Sequence, residues 1–391
     1  MSGLADPRRP DRVGLGWRGE LAAGIFAHLD RIDLVELIAD DHLRATPREL
    51  RPLQLLAAQR PLTLHGVALG LAGSEPVPAQ RLDALARLVG RLEPVAWSEH
   101  LAFVRAGGHE IGHLAAPPRT ACNVEAAARH VEQAARVVGR APLLENIATL
   151  VEPPGSALTE AAWTGAILRT AGAPMLLDLH NLYANAVNTG QEPAAMLDAM
   201  LDAVTPGCVQ AVHLSGGHWI DEPVLGSTAP ESPARSTGQR LLDDHVHDVP
   251  PPVYALLEQL AARVPGPLDV VIERDGRYPA FDVLLGQIDA ARAALVRGRA
   301  RAHAAAVLDP MPAEIADAEA TAAVSRLEPC LARLYADPAA LDGWLADPDR
   351  ASASLGLDAH DAAALHAADR TGLVMAARSY ARKRAEHQGA R

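Results

Sequence analysis

Short apolar segments alternate with longer helical segments as far as about residue 297, and this order constrains the fold more than any other feature. Strand–helix alternation predicts βαβ units, in which a parallel sheet is covered by helices. Seven or eight units in about 290 residues fit a closed (β/α)₈ barrel of the TIM type better than an open sheet. The predicted strands are Leu34–Ile38, Leu62–His65, Ala96–His100, Leu143–Asn146, Met175–His180, Val209–Leu214 and Leu268–Glu273.

The region after the barrel has helical periodicity and no convincing strand. We expect a barrel over 1–297, a linker containing two prolines over 298–312, and a small all-α domain over 313–391. Two Asp-Pro pairs, at 337–338 and 347–348, indicate helix starts, because Asp caps a helix and Pro fits its first turn. The expected helices cover about 313–337, 338–346, 358–367 and 370–386.

Composition excludes several classes of protein. The net charge of −12 leaves no dense basic face for nucleic acid, and Lys383 is the single lysine of the chain. No apolar run approaches the ~18 residues of a transmembrane helix, and the polar N-terminus does not resemble a secretory signal, so we expect a cytoplasmic protein without a membrane partner. The three cysteines lie far apart, which argues against a disulfide framework and a thiolate zinc site.

Ionisable side chains end six of the predicted strands. Because the carboxyl ends of parallel barrel strands converge at one mouth, we expect these side chains to meet there. The long segment 215–253 adds a D-x-H-x-H string, and loops of that length are functional or disordered. The residues concerned are His65, His100, Glu145, Asp178, His180, His213 and Glu273 at strand ends, with Asp243 and His245 from the long segment.

Convergence of these groups would create a surplus of negative charge. Glu145, Asp178, Asp243 and Glu273 would share one cavity, and burying each unpaired carboxylate costs several kcal/mol. Arg274 is the one nearby cation in sequence, so either metal ions bind or the carboxylates are protonated. Two or three multivalent ions would supply about +4 to +9. Histidine and carboxylate ligands without thiolate suit iron, manganese or zinc.

Eight sequence blocks resemble the multinuclear non-heme iron-dependent oxidative enzymes, the family of the methanobactin biosynthesis oxidase. They occur in order over about residues 12–297, which makes the resemblance specific. The blocks are LHG at 64–66, SEHLAF at 98–103, NVEAAARHV at 123–131, LLENIATL at 143–150, LLDLHNLYANAVN at 176–188, HLSGGH at 213–218, LDDHVHDVP at 242–250 and VVIERD at 270–275.

The resemblance implies a sugar-isomerase-like barrel that holds two or three iron ions, Fe(II) or Fe(III), with O2 as co-substrate. It implies catalytic roles for Asp178, Glu145 and His213, and an extra ligand, His180, where many members carry Asn. The HLSGGH block is one residue longer than usual, and Glu36 in the first predicted strand is not assigned to metal. The implied metal ligands are His65, His100, Glu145, Asp178, His180, His213, Asp243, His245 and Glu273.

The resemblance also implies a substrate. Members modify ribosomally synthesised precursor peptides, usually at Cys, and commonly work with a separate partner protein that presents the peptide. Residues 313–391 resemble the minor subunit of extradiol dioxygenases and would be either a fused substitute for that partner or a structural helical cap. Two alternatives stay open: a divalent-metal sugar isomerase or endonuclease-type barrel enzyme, and a non-catalytic metal- or peptide-binding adaptor. Metal content and dioxygen consumption discriminate between them.

Overall fold

Eight parallel strands form a closed barrel, which confirms the expected fold class. The computed structural model describes residues 9–223, 238–305 and 326–389. The strands are β1 (Arg12–Gly16), β2 (Val35–Ile38), β3 (Leu62–Gly66), β4 (Ala96–His100), β5 (Phe103–Ala106), β6 (His109–Ala115), β7 (Leu143–Glu145), β8 (Met175–Asp178), β9 (Val209–Leu214), β10 (Gly217–Asp221), β11 (Gln239–Asp243) and β12 (Asp269–Ile272). The barrel order is β1-β12-β9-β8-β7-β4-β3-β2, and β2 pairs with β1 to close it.

Helices surround the barrel and continue beyond it. Those of the barrel are α1 (Ala22–Ala27), α2 (Pro47–Ala57), α3 (Ala79–Leu92), α4 (Ala121–Val138), α5 (Glu160–Ala171), α6 (Leu179–Thr189), α7 (Pro193–Ala203), α8 (Pro251–Arg263) and α9 (Phe281–Ala305). Those after it are α10 (Leu327–Ala336), α11 (Pro338–Ala346), α12 (Pro348–Ser354), α13 (Ala359–His366) and α14 (Arg370–Gly389). Among the described helices, none is both long and apolar enough to cross a membrane.

The helix α4 illustrates why these segments fold as they do. The Thr120 side chain accepts a hydrogen bond from the Asn123 amide and caps the helix start. Apolar residues at helical spacing, including Val124 and Val131, are buried against the barrel. Gly139 ends the helix at φ 91°, a conformation that glycine adopts without a steric penalty.

Strand ends differ from the sequence-based bounds where a polar residue has a second task. The predicted strand Met175–His180 stops at Asp178, because this side chain accepts a hydrogen bond from the Asn181 amide and caps α6. The first barrel strand, β1, is absent from the predicted strands. The long segment 215–253 contains the antiparallel pair β10–β11; residues 224–237 lie outside the described part.

The predicted linker over 298–312 overlaps the last barrel helix, since α9 continues to Ala305; the rest of the linker lies outside the described residues. The predicted helix over 313–337 is described from Leu327 to Ala336. Both Asp-Pro pairs start helices as expected, with Asp337 and Asp347 accepting capping hydrogen bonds. The short helix α12 was not predicted as a separate element.

The helices α10–α14, here called the C-terminal extension, pack on the mouth side of the barrel. Phe103 and Ile111 of the hairpin β5–β6 share one buried apolar cluster with Leu331, Trp344 and Tyr380 of the extension. This hairpin directly follows β4, whose carboxyl end opens into the mouth. The extension therefore shares a core with the barrel at the end where the ionisable side chains converge.

Candidate metal centre

Three of the predicted side chains form the floor of the barrel mouth. His65 is the penultimate residue of β3, His100 ends β4 and Glu145 ends β7, so neighbouring parallel strands place them side by side. Glu145 Oε2 lies 3.5 Å from His65 Nε2 and 3.3 Å from His100 Nε2. All three side chains are buried. The distances suit donor atoms that converge on one ion.

His213 connects this floor to the opposite side of the barrel. Its Nδ1 lies 3.1 Å from Glu145 Oε1 and 3.3 Å from Glu273 Oε2. Its Nε2 lies 2.8 Å from Glu36 Oε1 but makes no hydrogen bond, since the two atoms are not aligned for one. The two oxygens of Glu145 thus face different histidines, so each oxygen is placed as a donor atom beside a different imidazole.

Asp178 brings a further carboxylate into the same group. Its Oδ1 caps α6, and its backbone N–H and C=O are both bonded to the side chain of Asn146. Asp178 Oδ2 has no hydrogen-bond partner, and one oxygen of Asp178 lies within 4.8 Å of ligand atoms of Glu145, His213 and Glu273. Asn146 therefore fixes the backbone that aims this carboxylate.

A second group is built on the strand β11 and the turn after it. Asp243 lies 2.7 Å from His180 Nδ1 through one oxygen and 2.7 Å from His245 Nε2 through the other. Burial opposes ionisation of Asp243, but the two histidines hold its pKa well below its usual range. His245 Nδ1 is 3.5 Å from Glu273 Oε2, so this group adjoins the first. His245 adopts φ 57°, a left-handed conformation that carries backbone strain.

Several buried polar atoms in the two groups have no hydrogen-bond partner among the described residues. A buried polar atom without a partner is costly, and native proteins contain few. Nitrogens and carboxylate oxygens that point together without hydrogen bonds are the donor set of a hard or borderline metal ion. The side chains therefore fit metal ions. The unpartnered atoms of the two groups are Glu145 Oε2, Asp178 Oδ2, His180 Nε2, His213 Nε2 and His245 Nε2, and the amide oxygen Oδ1 of Asn181 is also unpartnered.

The electrostatics of the cluster lead to the same interpretation. Burial lowers the pKa of His65 well below its usual range. Burial also opposes charge on His213, but the adjoining glutamates, Glu273 foremost, raise its pKa well above the usual range. Burial and the charge of Glu145 raise the pKa of Asp178 strongly. Protons thus offset part of the negative charge, and metal ions bound here would displace them.

Neighbouring groups orient two of the histidines. His65 Nδ1 is hydrogen-bonded to Ser98 Oγ at 2.8 Å, and His100 Nδ1 donates to the Gly66 carbonyl at 3.2 Å. Because Nδ1 is engaged in each ring, the lone pair available to an ion is on Nε2, which faces Glu145. Partners of this kind fix the tautomer and the direction of a ligand.

Some residues near the mouth do not join the centre. Arg274, the cation nearest in sequence, donates to Asp248 at 2.9 Å and does not neutralise the cluster. His218 and His247 form a separate network on Asp244, with contacts of 2.6 and 3.0 Å. Both oxygens of Asp244 already accept hydrogen bonds, so this network is internally satisfied.

The sequence reasoning missed two residues of the centre. Glu36 contacts His213 from β2, and Asp275 lies 3.2 Å from His245 Nδ1. The signal for Glu36 was a carboxylate in the middle of an apolar strand, where burial demands a partner. Asp275 stands in the same block as Glu273, but no strand pattern shows that its loop turns back toward His245.

A cavity of about 1360 Å³ lies above the floor. The floor residues His65, His100 and Glu145 line its base, and the hairpin β5–β6 forms one wall. The last helix, α14, lines it as well, with Tyr380 and Lys383 among the residues on this side. The volume exceeds that of a typical small-molecule pocket and fits a peptide segment.

The fold and the cluster define a (β/α)₈ barrel protein whose mouth holds a buried histidine–carboxylate centre suited to metal ions. The chain belongs to the family described as RiPP precursor modification enzyme MbnB/TglH/ChrH, whose sequence model matches residues 12–296. The resemblance drawn from the sequence blocks is thereby confirmed at the level of the family, which is one of enzymes acting on ribosomally synthesised peptides.

Individual relatives match the barrel region. A UPF0276 protein of Acaryochloris marina is 33% identical over 287 residues, which cover 73% of this chain and 96% of the relative. A UPF0276 protein of Streptomyces avermitilis is 33% identical over 300 residues, covering 74% of this chain and 56% of the relative. Among solved structures, endonuclease IV from Thermus thermophilus has 17% identity and a TM-score of 0.47 over 73% of this chain and 99% of its own. An L-ribulose 3-epimerase has 15% identity and a TM-score of 0.47 over 76% of this chain and 97% of its own.

Proposed function

We propose that this protein is a multinuclear iron-dependent oxidase that uses dioxygen to modify a cysteine side chain of a ribosomally synthesised precursor peptide. The observation that carries the proposal is the cluster of buried nitrogen and carboxylate donors with unpartnered atoms at the floor of a peptide-sized cavity. Family membership supplies the class of substrate. The cysteine is the oxidised partner, and dioxygen accepts its electrons.

The donor set favours iron over softer metals. Ligand atoms are imidazole nitrogens and carboxylate oxygens, with no thiolate among the groups of the described residues that could hold an ion. Bound iron would supply the one-electron chemistry and the site for dioxygen that the side chains lack. The residues that would hold it are His65, His100, Glu145, Asp178, His180, His213, Asp243, His245 and Glu273, to which the contact with His213 adds Glu36.

Glu145, Asp178 and His213 are the residues to which we assign the closest roles in catalysis. Glu145 presents one oxygen to the histidines of β3 and β4 and the other to His213, so it would contribute a ligand atom beside both sets of histidines. Asp178 has one oxygen held by the α6 amide and the other free, which keeps the free oxygen in one orientation. His213 is fully buried, which keeps water from its ring.

The walls of the cavity would bind the peptide and exclude water from the floor. A site that excludes water protects a reactive oxidant from side reactions. The hairpin β5–β6 and α14 cover the floor from one side. The extension would then take the place of a separate partner protein that presents the peptide, because it already packs against the mouth through a shared apolar core.

The test is reconstitution under anaerobic conditions, followed by metal analysis and oxygen uptake. The substrate would be a cysteine-containing precursor peptide, and mass spectrometry would locate the modified residue. We expect oxygen uptake that requires both iron and peptide. Glu145→Ala should lose iron and uptake, whereas the matched control Glu125→Ala, on the exposed face of α4, should keep both.

Manganese- or zinc-loaded protein provides the second comparison. Equal turnover with these ions and no oxygen uptake would favour the divalent-metal isomerase or endonuclease-type alternative. Peptide binding without any turnover would favour the adaptor alternative. Either result would refute the oxidase.

A further inference from the structure

The C-terminal extension is fixed to the barrel mouth at three separate points. Glu328 of α10 accepts hydrogen bonds from the backbone N–H and the hydroxyl of Ser74, at 2.6 and 2.8 Å. Asp369, just before α14, forms an ion pair with the buried Arg240 of β11 at 2.6 Å. Arg384 of α14 donates to the Ile111 carbonyl of β6 at 2.5 Å. Three anchors on three different elements hold the extension in one orientation.

The contact between α14 and the hairpin is close. Gly112 of β6 has φ 71°, and a Cβ atom there would overlap the Arg384 side chain. The ring of His113 lies 4.9 Å from the ring of Tyr380, and both residues line the cavity. The helix α14 is therefore built into the wall of the cavity, although it lies beyond the matched family region, which ends at residue 296.

One cation on this wall is uncommitted. Lys383 lines the cavity and has neither a salt bridge nor a hydrogen bond to a side chain in the described parts of the chain. Its neighbour Arg384 also lines the cavity but is engaged with the carbonyls of Ile111 and Tyr335. Burial and the charge of Lys383 lower the pKa of His113 to about 3, so His113 stays neutral beside it.

The floor below this wall is rich in carboxylates. An anionic group on a ligand would be attracted to the ammonium group of Lys383, whereas the floor carboxylates Glu145, Asp243 and Glu273 would already be paired with the bound metal ions. Lys383 therefore offers an anionic ligand a cationic partner on α14, and Arg44 and Arg87 are further cations of the same lining. A half-enclosed, unpaired ammonium group gains more from such a pair than one on the open surface.

We propose that α14 is the substrate-recognition wall of this enzyme and that Lys383 is a specificity-determining residue, which pairs with a carboxylate of the peptide. This inference rests on the proposed function for the peptide nature of the substrate. The carboxylate belongs either to the C-terminus of the peptide or to an acidic side chain. Both present the same chemistry to Lys383, and suitable probes separate them.

The test uses three dansyl-labelled tetrapeptides and the full-length, iron-reconstituted protein under anaerobic conditions. The probes are Gly-Ala-Gly-Cys with a free carboxylate, the same peptide as its carboxamide, and Gly-Asp-Gly-Cys as its carboxamide. We expect at least one anionic probe to bind about tenfold tighter than the neutral one, as for a charge-assisted pair. The tighter of the two anionic probes identifies the source of the carboxylate.

Lys383→Met should abolish this preference and leave the affinity of the neutral probe unchanged. Arg382→Met is the matched control, because it removes a charge from the adjacent, exposed position of the same helix, outside the cavity lining. Arg87→Met removes another cation of the cavity lining, which lies on α3 and not on α14. The control and Arg87→Met should both keep the preference.

A second measurement uses the fact that Lys383 is the only lysine in the chain. Acetylation by an N-hydroxysuccinimide ester, followed by peptide mapping, should be slowed about tenfold at Lys383 by a saturating anionic probe. The carboxamide of Gly-Ala-Gly-Cys should protect Lys383 from acetylation far less. This readout reports contact at the ammonium group and does not depend on turnover.

Four results would overturn the inference: no binding of any probe, equal affinity for anionic and neutral probes, an unchanged preference in Lys383→Met, or loss of the preference in Arg87→Met instead. Iron content and oxygen uptake are measured on the same samples. Absence of iron with an intact carboxylate preference would refute the proposed function alone, and loss of the preference with intact iron would refute this inference alone.

Discussion

The anchor between Glu328 and Ser74 makes the stability of the protein depend on pH. Burial raises the pKa of Glu328 from 4.5 to about 7, although the two hydrogen bonds from Ser74 oppose the shift. A carboxyl group whose pKa is higher in the folded state contributes stability at low pH. That contribution is complete below about pH 4.5 and is lost as the pH rises through about 7. The shift corresponds to about 3 kcal/mol.

Glu328→Gln removes the ionisation and keeps the hydrogen bonds, because both Ser74 donors bond to the single oxygen Oε1. We expect the variant to match the native protein at about pH 4 and to exceed its free energy of unfolding by up to about 3 kcal/mol at pH 8.5. Urea denaturation at a series of pH values measures this difference. Proteolysis of the segment before α10 reports separately on release of the extension.

The matched control is Glu110→Gln on the exposed edge of β6, whose carboxylate pairs with Arg105 at 3.2 Å. It should change the free energy of unfolding little at either pH. Two results would contradict this reasoning. The free energy of unfolding could depend on pH in the same way in the native protein and in Glu328→Gln, or Glu328→Gln could be less stable than the native protein at pH 8.5. Either result would show that the Glu328 carboxyl is not held in a buried contact with the barrel.

Three further predictions concern the centre. Glu145→Ala and Asp178→Ala should each lower bound iron, read by plasma mass spectrometry, and abolish turnover; full activity with normal iron in both would defeat their assignment. Ser98→Ala should weaken iron binding about 10–100-fold, because the Ser98 hydroxyl no longer orients the His65 ring. Competition with a calibrated chelator measures the iron affinity. Gly217→Ala should destabilise the protein by about 1–3 kcal/mol in thermal unfolding, since its Cβ would overlap the Leu242 carbonyl oxygen and the His180 ring; an unchanged transition would argue against these close approaches.

The barrel could be predicted because each strand carries its own signal. Ala96–His100 and Val209–Leu214 have the bounds that the sequence predicts, and each carries a histidine, His100 or His213, at or next to its carboxyl end. Arg12–Gly16 gives no such signal, because it contains two glycines and ends without an ionisable residue. Arg12–Gly16 is recognised as a strand only in the structure, where it pairs with both β12 and β2 and closes the barrel.

The members of the centre were predictable from strand ends, but their grouping was not. Sequence position shows that Asp243 and His245 lie near the mouth, whereas the contact of Asp243 with His180 depends on how the β10–β11 hairpin folds back. Glu36 is not assigned to the centre from the sequence, because the strand pattern does not show whether its carboxylate points into the barrel or toward the helices. The barrel interior places it against His213.

The position of the extension was beyond sequence reasoning. Helical periodicity and the two Asp-Pro caps indicate helices, but they do not show which surfaces meet. The contact between the extension and the barrel depends on two residues. Gly112 has no side chain and so leaves space for the Arg384 side chain, and the buried Arg240 forms an ion pair with Asp369. The wall that holds Lys383 follows from these contacts between regions far apart in sequence.

The most direct test of the central claim is the metal content of protein reconstituted with ferrous iron under anaerobic conditions, then desalted. The claim is that the strand-end histidines and carboxylates at the mouth hold a cluster of iron ions. The account predicts about two to three equivalents of tightly bound iron per chain, lost together in Glu145→Ala and retained in Glu125→Ala. Protein that retains no transition metal, or Glu145→Ala that retains the full amount, would contradict it.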